Sequence, residues 1–366
     1  MQIPAHLLPR DGRFGSGPSL IRQQQLDELL DRGRHVLGTS HRQAPVKQLV
    51  AQLRQQLAEL FQLPDGYEVL LSNGGSTAFW DAAAFGLIRE RAQTAVFGEF
   101  GGKFAKAAAA PWLSAPDVRE AAPGSVAFLE AAAGIDLYAT PQNETSTGAI
   151  VPVRRVADED ALTMIDATSS AGGVEVDLRE CDVYYFAPQK NFGADGGLWV
   201  AIVSPKALER IEEIAASERY IPEFLRLDTV VTNSRKEQTY NTPAIATISL
   251  FESQVRWMNE FGGLSAIAAR TRESSHLLYD WAERTDWVTP FVADPAHRSP
   301  VVVTLDLADG VDGKQVSSLL RENGVVDIDP YRKLGRNQLR IGTFAAVEPD
   351  DVRALIGCLE YVVERL

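Results

Sequence analysis

From Val46 the apolar residues recur at intervals of three and four, through Leu49, Val50, Leu53 and Leu57 to Leu60 and Phe61. That period predicts an amphipathic helix with one buried face, opening near Pro45 and closed by the turn chemistry of Pro64-Asp65-Gly66. Residues 19–37 also read as helical, whereas residues 1–18, with three prolines, three glycines and no period, read as an extended arm. Past residue 67 the pattern becomes short apolar runs separated by helical stretches. Strands are expected at 68–71, 94–97, 135–139, 162–165, 183–186 and 197–203, with a helix over 78–92. Strands alternating with helices predict a largely parallel sheet covered on both faces, the intervening segments being long enough for crossovers. A helix over 205–217 leads into an irregular polar and aromatic stretch, 218–243. Around residue 255 the character changes. A long helix over 264–284, a strand over 301–307, a helix over 314–323, short strands near Val325 and Gln338 and a helix over 349–366 predict a second, smaller α/β unit. The expected organisation is an arm over 1–18, a large domain over 19–255 and a small C-terminal domain over 256–366.

A chain of 366 residues is long for one core, which agrees with two domains. The formal net charge of −13 argues against nucleic acid or an anionic membrane surface as partner. An anionic substrate would therefore need a few arginines acting locally against the overall field. Cys181 and Cys358 have no metal-ligand spacing and read as buried small hydrophobes, which suggests a reducing compartment. No run of 18 apolar residues occurs, and the expectation is a cytoplasmic protein with no membrane partner.

The candidate chemistry sits at strand ends. Asp166 closes the apolar run over 162–165, and Gln189-Lys190 follows the run over 183–186, 24 positions after Asp166. Two adjacent parallel strands would bring both to one edge of a sheet. Pyridoxal 5'-phosphate (PLP) requires such a pair: a carboxylate for its pyridinium nitrogen and a lysine for its aldehyde. Gly74-Gly75-Ser76-Thr77 opens a helix, where free N–H groups and hydroxyls suit a phosphate. It matches neither the dinucleotide fingerprint nor the P-loop, which argues against NAD and ATP. Phe100 could stack on a pyridine ring, with Phe104 as the fallback, and the Thr145 hydroxyl could bond the ring's phenolic oxygen. All follow strand C-termini, where ligands bind in open α/β sheets.

Phe14-Gly15-Ser16-Gly17-Pro18, Ser40-His41-Arg42, Gly74-Gly75-Ser76-Thr77, Asn143-Glu144-Thr145, Asp166, Gln189-Lys190, Asn241-Thr242-Pro243 and Leu339-Arg340 stand in this order over nearly the full length. In these motifs the chain resembles the phosphoserine aminotransferases, class V aminotransferases of PLP fold type I, and specifically their actinobacterial branch. The resemblance implies that Lys190 binds the cofactor aldehyde and Asp166 the ring nitrogen. Phe100 would stack on the ring and Thr145 bond it, while Ser76, Thr77 and Gln189 hold the phosphate. Asn241 and Thr242 would reach that phosphate from the other subunit of a homodimer with shared sites. On the substrate side it implies Ser16, His41, Arg42, Arg332 and Arg340, the last as a bidentate clamp for the α-carboxylate.

The implied reaction is reversible amino transfer from L-glutamate to 3-phosphohydroxypyruvate, giving O-phospho-L-serine and 2-oxoglutarate in serine biosynthesis. A side activity on 4-phosphohydroxythreonine would touch pyridoxine biosynthesis. The alternative is another class V activity, such as serine- or alanine-glyoxylate aminotransferase. Three departures from the family pattern stand out. Phe100 replaces the usual Trp, Ser76-Thr77 stand where many members have Arg after the glycines, and the gap before Arg340 is longer. Arg332, Lys333 and Arg336 are all candidates for the missing cation.

Overall fold

The computed structural model describes residues 1–156 and 160–366. Two helices, α1 (Gln23–Val36) and α2 (Ala44–Leu60), precede the first strand. Every position of the three-four pattern in α2 is buried, so its apolar stripe faces the core. The sequence then alternates: β1 (Glu68–Asn73), α3 (Ser76–Gly86), β2 (Ala92–Val96), α4 (Glu99–Ala107), β3 (Asp117–Glu120), β4 (Leu137–Pro141), a small ribbon of β5 (Asn143–Glu144) and β6 (Ala149–Ile150), then β7 (Leu162–Asp166), β8 (Val183–Phe186) and β9 (Leu198–Val203). Seven of these form one sheet in the order β1-β9-β8-β7-β4-β2-β3. All run parallel except β9, which is antiparallel to both its neighbours. The strand expected over 135–139 lies two residues later.

Helices cover both faces. One core joins α2 and α7 (Ile245–Glu260) to residues such as Ile165, Tyr184 and Phe186, after α5 (Pro205–Ala215) and α6 (Leu227–Ser234) have been laid down. The other joins α3, α5 and α6 to Met164, Tyr185 and Trp199. Alternate residues of one strand thus enter opposite cores, and β7, β8 and β9 read as continuous apolar runs because both faces are buried.

Helix α8 (Gly263–Ala282) carries the chain onward: Ile267 belongs to the first core and Leu278 to a third. That third core lies between α8, a three-stranded antiparallel sheet of β10 (Val288–Pro290), β11 (Val302–Leu307) and β12 (Gln338–Gly342), and the helices α9 (Gly313–Glu322) and α10 (Pro349–Val363). The strand expected near Val325 is a single bridge, in which Val326 pairs with Arg13 of the N-terminal arm. The arm is sewn into this last unit. Val326 N–H donates to the Gly12 carbonyl (2.8 Å), Gly342 N–H to the Phe14 carbonyl (2.8 Å), and Phe14 is fully buried.

Candidate active site

Strands β7 and β8 pair in parallel, with Asp166 opposite Tyr185. Asp166 is the last residue of its strand; Pro188 then stops continuation of the neighbouring one, and a turn closed by Gly193 N–H to the Lys190 carbonyl (3.0 Å) turns Lys190 inward. The arm packs against this turn from outside. Ser19 N–H donates to the Gln189 carbonyl (2.9 Å), and Lys190 Nζ donates to the Ser16 carbonyl (2.6 Å). A Cβ on Gly17 would lie 2.2 Å from Lys190 Nζ, and its φ of +119° also suits only glycine.

A cavity of about 230 Å³ at the C-terminal ends of the parallel strands is lined by Ser76, Thr77, Phe100, Thr145, Asp166, Gln189 and Lys190. These are residues singled out in the sequence, brought together from five separate strand ends. A larger groove of about 480 Å³, beside Leu60, Arg179 and Leu264, gathers none of them. Size therefore does not select the site here; convergent polar chemistry does.

Two lining residues, Trp80 and Thr168, have no counterpart among the sequence candidates, and Asn143 stands there only as part of a motif, without a role. Thr168 donates to Asp166 Oδ1 through its N–H (2.9 Å) and its hydroxyl (2.5 Å), and its Oγ1 meets Ser76 Oγ at 2.7 Å. The carboxylate and the α3 N-terminus are thus joined by one hydroxyl. An Asp accepting from the N–H two residues on is an Asx turn, which D-A-T after a strand could have signalled. Trp80 lies four residues after Ser76, on the same face of α3.

Burial governs the electrostatics. It pushes the Lys190 amine down to about 8, with nearby Arg340 adding to the effect and Asp166 and Glu144 opposing it. Burial raises the Asp166 carboxyl, and the bonds from Thr168 pull it back. Arg340 is lowered by burial; its Nη1 donates to the Thr145 carbonyl (3.2 Å), and its guanidinium lies 5.3 Å from the Tyr331 ring centre. Tyr331 in turn stands 6.1 Å from Phe100, ring centre to ring centre.

The donor set fits a phosphorylated ring with a basic nitrogen. No side chain caps α3, so its first N–H groups face the cavity beside Ser76 and Thr77. Gln189 Oε1 and Asn143 Oδ1 are buried without a hydrogen-bond partner among the described residues, as expected of atoms meant for a ligand.

The remaining candidates lie outside this lining. His41 Nδ1 meets Thr242 Oγ1 at 3.2 Å, Asn73 donates to the Thr242 carbonyl (3.1 Å), and Arg42 reaches Gln238 Oε1 (3.1 Å). His41, Arg42, Asn241 and Thr242 therefore form a second polar cluster, in which Arg42, Asn241 and Thr242 are exposed. Burial and Arg42 both lower the His41 imidazole. Among the C-terminal cations, Arg336 is held by both carboxylate oxygens of Asp306 (3.0 and 2.6 Å) and Lys333 by Glu99 (2.5 Å). Arg332 is exposed and makes no ion pair among the described residues. Ser16 offers its carbonyl to Lys190, while its Oγ is buried without a hydrogen-bond partner among the described residues.

Comparison with known proteins gives a consistent picture. The family model "Aminotransferase class-V" matches residues 127–327. The chain is 57% identical to the phosphoserine aminotransferase of a Nocardioides species, over all of this chain and 99% of that protein. It is 58% identical to a putative phosphoserine aminotransferase of Mycobacterium avium, over all of this chain and 98% of that one. Among solved structures, the phosphoserine aminotransferase of Cytophaga hutchinsonii superposes with a TM-score of 0.89 at 24% identity, covering 96% of this chain and 99% of its own.

Proposed function

Because this chain belongs to the phosphoserine aminotransferases, within the class-V aminotransferases, we propose that it holds PLP between Phe100 and Asp166 and moves the amino group of glutamate to 3-phosphohydroxypyruvate. The observation that carries the reading is the burial of Lys190 and Asp166 in one cavity, at the ends of paired strands. PLP supplies an aldehyde for an amine and a ring that takes up the electrons left when a Cα–H bond breaks. The residues do the rest. Lys190, its amine lowered toward neutrality by burial, carries the proton to and from the substrate Cα. Asp166 holds a proton on the ring nitrogen, and cofactor binding gives this buried carboxylate the cation it lacks. The α3 N-terminus, Ser76, Thr77 and Gln189 take the cofactor phosphate. Thr145 bonds the phenolic oxygen, and Arg340 clamps the α-carboxylate. Arg332 is the C-terminal cation left to meet the distal acid group, since Lys333 and Arg336 are already paired.

The cluster of His41, Arg42, Asn241 and Thr242 suits the other half of a shared site. Its residues are not among those lining the cavity of their own chain, and a homodimer would bring them to the partner's cofactor phosphate and substrate. Glutamate's side carboxylate and the acceptor's phosphate are both compact anions, so one arginine and one histidine serve either. The proposed setting is the cytoplasm, which suits two buried unpaired cysteines.

The direct test is a coupled assay of 2-oxoglutarate release from glutamate, with 3-phosphohydroxypyruvate, hydroxypyruvate and glyoxylate as competing acceptors. Strong preference for the phosphorylated acceptor is expected; preference for glyoxylate would move the protein to another class V activity. Sharing of the site is tested by mixing inactive Lys190→Ala and Arg42→Ala subunits. In a mixed dimer one site regains both residues, so activity should return to about half of the wild-type value per dimer, one intact site in two. No recovery in mixed dimers would sink the shared site.

A further inference from the structure

Glu144 is fully buried and makes no ion pair among the described residues. Its Oε2 accepts the N–H groups of Phe100 (3.0 Å) and Gly101 (3.0 Å); its Oε1 accepts the N–H (3.1 Å) and hydroxyl (2.7 Å) of Ser146. Ser146 Oγ accepts the N–H of Glu99 (3.0 Å). The first three amides of α4, which its own helix leaves unbonded, are thus all taken by two side chains, Glu144 at the end of β5 and Ser146 in the turn after it. The approach is close: a Cβ on Gly98 would lie 2.3 Å from Glu144 Cγ and 2.6 Å from Ser146 Oγ.

A helix cap is ordinarily supplied by the residue preceding the helix. Here it comes from a second segment that lines the active-site cavity. Phe100 lines that cavity from α4, and Thr145, between the two capping residues, lines it from the loop. The Thr145 carbonyl also receives Arg340. One carboxylate therefore sets where the ring face, the phenolic-oxygen contact and the substrate clamp stand relative to one another.

We propose that Glu144 is a positioning residue for transamination, fixing the separation of the two cavity walls by capping α4 from the Thr145 loop. The proposal rests on the reading of this cavity as the transamination site. Burial raises the Glu144 carboxyl and Asp166 adds to it, while the hydrogen bonds from Ser146 and Gly101 pull it back; four donors converge on its two oxygens, and Lys190 and Arg340 are near enough to feel its charge. A glutamine at this position keeps the shape but turns its NH₂ toward one of the two donor pairs, so one wall loses its anchor.

The test compares holoenzymes of the wild type, Glu144→Gln and Ser146→Ala. It reads kcat and KM for glutamate, the visible circular dichroism of the bound cofactor, the rate of cofactor release on gel filtration and the thermal midpoint. For Glu144→Gln, kcat/KM should fall by about 30-fold with a raised KM, as for a misplacement on the order of 1 Å. Cofactor release should be faster and the dichroism weaker. Ser146→Ala should move every readout the same way by a smaller factor. Variants with a lower thermal midpoint but wild-type dichroism, release and kinetics would show a mere helix cap and overturn the proposal, as would variants unchanged in all four. If Glu144→Gln does not fold, Ser146→Ala decides by the same criteria. A wild type without transamination would overturn the reading of the cavity itself, whereas an active wild type matched by both variants would overturn the positioning role alone.

Discussion

Replacing Lys190 with alanine is expected to lower turnover by about 10⁴-fold, the upper end of what one positioned proton-transfer group contributes. No neighbouring base can substitute. The ionisable groups nearest it, Asp166, Glu144, Arg340 and Tyr185, each make hydrogen bonds of their own. Release of 2-oxoglutarate measures the loss, and a variant within tenfold of the wild type would remove Lys190 from the reaction.

The same substitution has a second, opposite signature in the cofactor-free protein. The amine sits at about 8 when folded, against an ordinary lysine value of 10.5, so between these pH values the unfolded chain binds more protons. The penalty of burying the ammonium is complete below pH 8 and is relieved as the pH rises toward 10.5. Wild-type stability should therefore gain about 3 kcal/mol over that window relative to Lys190→Ala, the equivalent of about two and a half pK units. Denaturant titrations at several pH values would read it; parallel pH profiles for the two proteins would rule out a depressed amine.

Asp166→Asn is the second large effect, with kcat expected to fall about 10³-fold and KM for glutamate to change little. The amide can still accept from Thr168, so the local turn survives, but it cannot neutralise a protonated ring nitrogen. Cofactor retention should fall as well. In the cofactor-free protein the sign reverses. The folded carboxyl is raised, so its burial costs stability at neutral pH and the cost fades as acid protonates it. The asparagine variant should accordingly be the more stable apoprotein at pH 7. A kcat within threefold of wild type would deny Asp166 its part.

How much of this was legible in the sequence depended on how each side chain finds its partners. Strands β7 and β8 were readable because both faces are buried, and their ends marked Asp166 and Lys190. The sequence is helical in character near residue 255 but does not give the bounds of α7. Its buried face includes Thr247, Ser249, Glu252 and Gln254, which erase the apolar period. These polar groups are affordable because distant residues meet them: Arg32 reaches Glu252 (2.5 Å) and Arg22 reaches Gln254 (2.7 Å). Helix α4 was hidden in a different way. Gly98, Gly101 and Gly102 argue against a helix, and what stabilises its start comes from Glu144 and Ser146, more than forty residues later. Motif order found the cavity-lining hydroxyls and the phenylalanine. Thr168 and Trp80 were missed because their roles appear only when α3 and the end of β7 are side by side.

The N-terminal arm has a bearing on how the enzyme comes into being. Gly12 and Phe14 take their places against Val326 and Gly342, while Ser16, Gly17 and Ser19 of the same arm lie over the Lys190 turn. During synthesis those first residues emerge hundreds of positions before their seats. They wait as an unpaired extended segment while the seven-stranded sheet forms behind them. The strands that end at Asp166 and before Lys190 are made well ahead of Val326 and Gly342, so the arm gains its last anchors after the site they border. A chain truncated before Gly342 would lose the bond from Gly342 N–H to the Phe14 carbonyl, and with it part of the seat that holds the arm beside the lysine.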